Sequence, residues 1–136
     1  MSEANKMLAR RWFEQVWNQA RPEAIDEMFA RDGRAWGCPD PLTAIEGPAE
    51  FHKYYEQLHG AFPDVQITVD DVIAEGDKVA IRWTARMTHS GDHLGFKATG
   101  KAVILPGMSM IIVRDGMLHE GWNSADFGGM MAGLQN

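Results

Sequence analysis

Val79-Ala80-Ile81-Arg82-Trp83-Thr84-Ala85-Arg86-Met87 decides the fold. Apolar Val79, Ile81, Trp83, Ala85 and Met87 alternate with Ala80, Arg82, Thr84 and Arg86. A period of two belongs to a strand with one face on a core and the other turned to solvent. The run before it has the same period, with Val65, Ile67 and Val69 in phase. Glu75-Gly76-Asp77 lies between them as a glycine-containing hairpin turn. A third run, Val103 to Arg114, carries Gly107, which reads as a bulge. Asp115-Gly116 signals a two-residue hairpin, and the last strand runs from Met117 to Asn123.

Upstream of residue 65 the period is helical. Over residues 3–20, Ala9, Trp12, Phe13, Val16, Trp17 and Ala20 form one apolar stripe. Pro22 and Glu23 start a short helix with Ile25, Met28 and Phe29 on its buried edge. Arg34 to Gly37 suggests a short strand, followed by the stiff loop Cys38-Pro39-Asp40-Pro41. Gly47-Pro48 opens a third helix whose apolar face is Phe51, Tyr54, Tyr55, Leu58 and Phe62. Helices first and long antiparallel strands after them define an α+β domain, with helices packed on one face of a curved sheet. Aromatic helix faces closing such a sheet make a cone with an apolar interior.

The 136 residues fit a single domain spanning 1–136, with 45% hydrophobic and 24% charged residues. Five tryptophans are many for this length, and rings of that kind line cavities as well as fill cores. The net charge is −6, and no basic run appears, which argues against nucleic acid and anionic membrane as partners. Cys38 is the only cysteine, so it has no internal disulfide partner and fits a reducing cytoplasm. No signal-like apolar segment follows a basic start, and no run of about 18 apolar residues is present.

The end of the chain holds the chemistry-bearing pattern. Asp126 falls among Trp122, Phe127, Met130 and Met131. A carboxyl held against apolar groups loses hydration of its charged form, which suits proton transfer near neutral pH. An Asp at a strand end also caps the following turn, and the residues alone favour that reading. His89 and His93 have the four-residue spacing of helical metal ligands, but Gly91 lies between them in a stretch bounded by strands, so no metal site is expected. By alternation His119 lies opposite the face that carries Leu118, Glu120 and Trp122. Phosphate loops, dinucleotide loops and the Gly-x-Ser-x-Gly elbow are all missing.

Several short motifs resemble the SnoaL-like polyketide cyclase, or ester cyclase, family. They are Gly60-Ala61-Phe62-Pro63-Asp64, Ile73 to Val79, Arg82-Trp83-Thr84, Thr88-His89-Ser90-Gly91 and Ala98-Thr99-Gly100-Lys101. The pattern ends on Asp115-Gly116, Glu120-x-Trp122-Asn123 and Asp126. The resemblance implies the cystatin-like fold of the nuclear transport factor 2-like superfamily, a cone-shaped barrel of strongly curved sheet wrapped on three N-terminal helices. It implies intramolecular aldol chemistry on a small apolar carbonyl compound, no metal or organic cofactor, and a homodimer through the open sheet face. It makes Asp126 the acid/base, with His89 or His119 orienting a carbonyl or passing a proton. The expected pocket wall comprises Trp12, Trp36, Phe51 and Tyr55, with Met108, Met110, Trp122 and Asn123. His93, Lys97-Ala98 and the glycine-rich tail depart from the family pattern near the expected pocket mouth. Two other readings share the scaffold. One is an epoxide hydrolase, which would need Asp-Arg-Asp converging, or a ketosteroid-type isomerase. The other is a non-catalytic ligand-binding or dimerisation domain.

Overall fold

The computed structural model describes residues 2–136. Helix α1 (Ser2–Arg11) continues without a break into a π-helical stretch, Trp12–Asn18. There the hydrogen bonds reach five residues back, as from Gln19 N–H to Glu14 O at 2.8 Å. The wider turn brings Trp12, Phe13, Val16 and Trp17 all to the buried side. Asn18 then ties the helix to the sheet. Its Oδ1 accepts from Ile67 N–H at 2.6 Å, and its Nδ2 donates to Ile67 O at 2.8 Å.

Helix α2 (Glu23–Met28) leads into β1 (Phe29–Trp36), which is longer than the short strand predicted. Strand β2 (Ile45–Glu46) and helix α3 (Gly47–Ala61) follow. The meander is β3 (Gln66–Glu75), β4 (Lys78–Thr88), β5 (Ala102–Arg114) and β6 (Met117–Ala125). A last helix, α4 (Phe127–Gln135), forms from the glycine-rich tail. The six strands run in the order β2-β1-β6-β5-β4-β3, with only β1 and β6 parallel. The sheet bends around the helices but does not close on itself, so the architecture is the expected α+β one with an open edge rather than a closed barrel.

Two details of register set the site. Gly107 is not a bulge: β4 and β5 pair without a shift from Lys78↔Ile112 to Thr88↔Ala102. A side chain at Gly107 would collide with the Trp83 ring, so this glycine makes room for the indole. The irregularity lies one hairpin later. Ile112 faces Glu120 and Val113 faces Leu118, leaving His119 as the extra residue. Beyond it the alternation of β6 changes phase, and Gly121 and Asn123 point inward. No helix among the described residues is long and apolar enough to cross a membrane.

Candidate active site

An apolar cavity of about 120 Å³ lies between α3, the π-helical turn and the inner face of the sheet. Trp12, Phe13 and Trp17 come from the first helix, Phe51, Tyr54 and Leu58 from α3, and Trp83, Ala85 and Leu105 from the strands. Phe127 and Met130 of α4 complete the wall. The aromatic packing is close. The Trp12 and Phe51 rings lie 5.1 Å apart at 65°, and Phe29 and Phe51 lie 5.4 Å apart.

Polar groups gather where β1 meets β6: Arg34, Cys38, Tyr54, Glu120 and Asn123. A directed chain of hydrogen bonds orders them. The Trp83 indole can only donate, so Ser109 Oγ accepts from it at 2.9 Å and gives its own proton to Asn123 Oδ1 at 2.6 Å. That fixes the amide, whose Nδ2 donates to Trp36 O at 3.0 Å and to Cys38 Sγ at 3.4 Å. Trp36 Nε1 in turn donates to Glu120 Oε2 at 2.7 Å, a charge-assisted bond if the carboxyl is ionised. Gly37 permits the close approach: its φ is +76°, and a side chain there would strike the Asn123 carbonyl.

Glu120 is the only carboxylate among the described residues that line the cavity. Its register partners are Arg34 of β1 and Ile112 of β5, so its side chain leaves β6 on the face opposite Gly121 and Asn123, and there Trp36 engages one of its oxygens. Burial pushes the Cys38 thiol up to about 11, against the smaller opposing effect of hydrogen bonds from Tyr54 and Asn123. The thiol is therefore protonated at neutral pH. Burial, and then the neighbouring Cys38, also raises Tyr54 well above the ordinary phenol value. The Tyr54 hydroxyl has only a neutral sulfur, a weak acceptor, as its partner.

The expected site residues divide. Trp12, Phe51 and Asn123 line the cavity. Tyr55 does not. One position round α3 from Tyr54, it is buried against Trp17 at 5.1 Å and stacked on His59 at 5.2 Å. Trp36 leaves β1 on the face opposite cavity-lining Ala35, where it meets Glu120 and pairs with Trp122. Met108, Met110 and Trp122 belong to the outer face of the sheet, because Leu105, Ser109 and Val113 take the inward phase of β5 and the bulge at His119 turns Trp122 outward.

The three residues expected to carry the chemistry are not among the cavity's lining residues. Asp126 is exposed rather than sheltered among apolar side chains. Its carboxylate accepts from Gly129 N–H at 2.9 Å as the N-cap of α4. His89 is fully buried but does not line the cavity. Its Nδ1 accepts from Thr99 N–H at 3.1 Å, which puts its proton on Nε2, and its ring lies between Phe62 and Phe96. It holds the 89–101 loop in place. His119 points to Asp32, 3.8 Å away, on the surface side.

Arg82 and Arg86 are exposed on the outer sheet face, so no Asp-Arg-Asp cluster forms with them at the cavity. Among the described residues no three His, Cys, Asp or Glu side chains come together as a metal-binding group. Cys38 and Tyr54 are polar wall residues that the sequence alone did not single out. The available signal was Tyr54, already on the apolar face of α3.

This is an α+β domain with a largely apolar cavity and Cys38, Tyr54 and Asn123 at its polar end. The chain belongs to the SnoaL-like polyketide cyclase family, whose pattern matches residues 7–134. No curated protein matches it significantly. Among solved structures it is similar to a candidate SnoaL-like polyketide cyclase from Jannaschia sp. CCS1, with 22% identity, a TM-score of 0.88 and coverage of 98% of this chain and 92% of that one. It is also similar to IdmH, a candidate polyketide cyclase from Streptomyces antibioticus, at 28% identity and a TM-score of 0.81, covering 97% and 99%. AclR, a candidate hydroxylase from Streptomyces galilaeus, is 25% identical at a TM-score of 0.86, covering 99% and 83%.

Proposed function

We propose that the protein is a cofactor-independent acid/base enzyme acting on a small, largely apolar carbonyl compound, with Asp126 as the proton-transfer group. The observation that supports this reading is the aromatic cavity with Tyr54 on its wall, next to which Asp126 caps α4 one residue before the cavity-lining Phe127. The reaction is an intramolecular aldol closure. Asp126 takes a proton from the carbon next to one carbonyl, and the enolate oxygen accepts a hydrogen bond from Tyr54 in place of the weak bond to sulfur. The enolate carbon bonds to the second carbonyl carbon, whose oxygen becomes an alkoxide. Protonated Asp126 returns the proton to that alkoxide, so substrate and product are isomers. The aromatic wall holds the chain folded, which converts an unfavourable encounter into a proximal one. Asp126 is also the position that the family resemblance makes the acid/base.

The test is the closure of 2,6-heptanedione to 3-hydroxy-3-methylcyclohexanone, followed by proton NMR. Asp126→Asn keeps the size and the helix cap but removes the base. A fall of about 10²- to 10⁴-fold is expected. A folded Asp126→Asn variant with the wild-type rate would refute the assignment.

We further propose that the protein works in the cytoplasm, where the Cys38 thiol stays reduced, and as a homodimer through the outer sheet face. Supporting the dimer, Met108 (57% exposed), Met110 (46%) and Trp122 (41%) stand together on adjacent strands.

A further inference from the structure

We infer that the site takes a compact carbonyl compound the size of one ring, and that Phe127 and Met130 of α4 set this limit. This rests on the reading of the cavity as the active site. The space is about 120 Å³. A dry apolar cavity of about 150 Å³ holds one benzene ring, whereas drug-sized ligands occupy roughly 300–1,000 Å³. A fused three-ring skeleton does not fit. An acyclic diketone of about nine non-hydrogen atoms, folded for six-membered ring closure, is of the right scale.

The wall divides into a firm part and a loose part. Trp12, Trp17, Phe29 and Phe51 brace one another through ring contacts of 5.1 to 6.4 Å, and Trp12, Trp17 and Phe51 are each at most 8% exposed. Moving any of them disturbs the whole cluster. Helix α4 is different. It carries Gly128, Gly129 and Gly133, each costing about 1 kcal/mol of helix propensity relative to Ala. Its one fully buried side chain is Leu134. The Asp126 cap holds its first turn, and Lys101 Nζ, donating to Gly133 O at 2.9 Å and Asn136 O at 2.6 Å, holds its end. Phe127 and Met130 therefore form the part of the wall that can be cut back without collapsing the rest.

Quenching of the cavity tryptophans Trp12, Trp17 and Trp83 reads binding without turnover. The probes are acetophenone with one ring, 1-tetralone with two and anthrone with three. Wild type should bind acetophenone and exclude anthrone. Met130→Ala, and separately Phe127→Ala, should admit 1-tetralone with at least about tenfold gain over wild type. Anthrone binding to wild type as tightly as acetophenone overturns the size limit, as does a failure of all three probes to bind. If neither variant gains affinity for 1-tetralone, the role of α4 is wrong. The outcomes separate from those for Asp126. Should anthrone bind while Asp126→Asn abolishes ring closure, the function stands and the size limit falls. Selective acetophenone binding with full activity in Asp126→Asn leaves the limit and removes the acid/base assignment.

Discussion

Cys38 shows how a single residue changes meaning between sequence and structure. As a lone cysteine it indicates only a reducing compartment. In the fold its sulfur lies 3.4 Å from Asn123 Nδ2 on the cavity wall, and burial pushes the thiol up to about 11. The raised value means that the folded state favours the protonated form. That contribution to stability is complete below the ordinary thiol range and is lost as pH rises through about 11. At pH 8 the thiolate fraction is about a hundredfold lower than for an ordinary thiol, which titrates at 9.0. Iodoacetamide labelling of the native protein should therefore be slower by about that factor and rise with pH past about 10. Labelling at the rate of free cysteine would contradict the buried thiol. Trp12 and Phe51 can be read from the sequence because helix stripes report burial directly. The Glu120–Trp36 contact cannot, because the two residues lie 84 positions apart and meet only once the strands pair.

At the level of elements, the strands are readable wherever one face is clearly polar. β4 is the best example, and its inward set is the one predicted. β5 is apolar in both phases: Ile104, Met108 and Met110 compete with Leu105, Ile111 and Val113. Only pairing with β4 and β6 decides which set faces in, so the sequence alone puts Met108 and Met110 on the wrong face. The bulge at His119 does the same to Trp122, since one extra residue reverses the facing of all that follow. Helix α4 escapes sequence reading because three glycines erase its propensity, and its stability comes from the Asp126 and Lys101 caps and the burial of Leu134. Gly107 gives a sharp test of register. Gly107→Ala should drive a methyl into the Trp83 ring and cost about 1–3 kcal/mol, measured by urea denaturation. A neutral substitution would mean that the indole does not occupy this space.

The whole molecule is largely readable. Three helices followed by a meander can bury their apolar faces only as layers, and the family match over residues 7–134 agrees with that architecture. Oligomeric state belongs to the same scale. Met108, Met110 and Trp122 lie on a face that the helices do not cover. Light scattering should find wild type at twice the 15.2 kDa chain mass and Trp122→Glu as a monomer that still binds acetophenone. A monomeric wild type would refute the pairing. The most direct trial of the account compares its two carboxylates in one assay, deuterium uptake from solvent into the methyl group of acetophenone. Asn caps a helix as well as Asp does, so Asp126→Asn leaves α4 in place and tests only the charge. Uptake should fall by about 10² or more in Asp126→Asn and stay within a few fold of wild type in Glu120→Gln. The reverse order, with Glu120→Gln inactive and Asp126→Asn unchanged, would contradict the central claim.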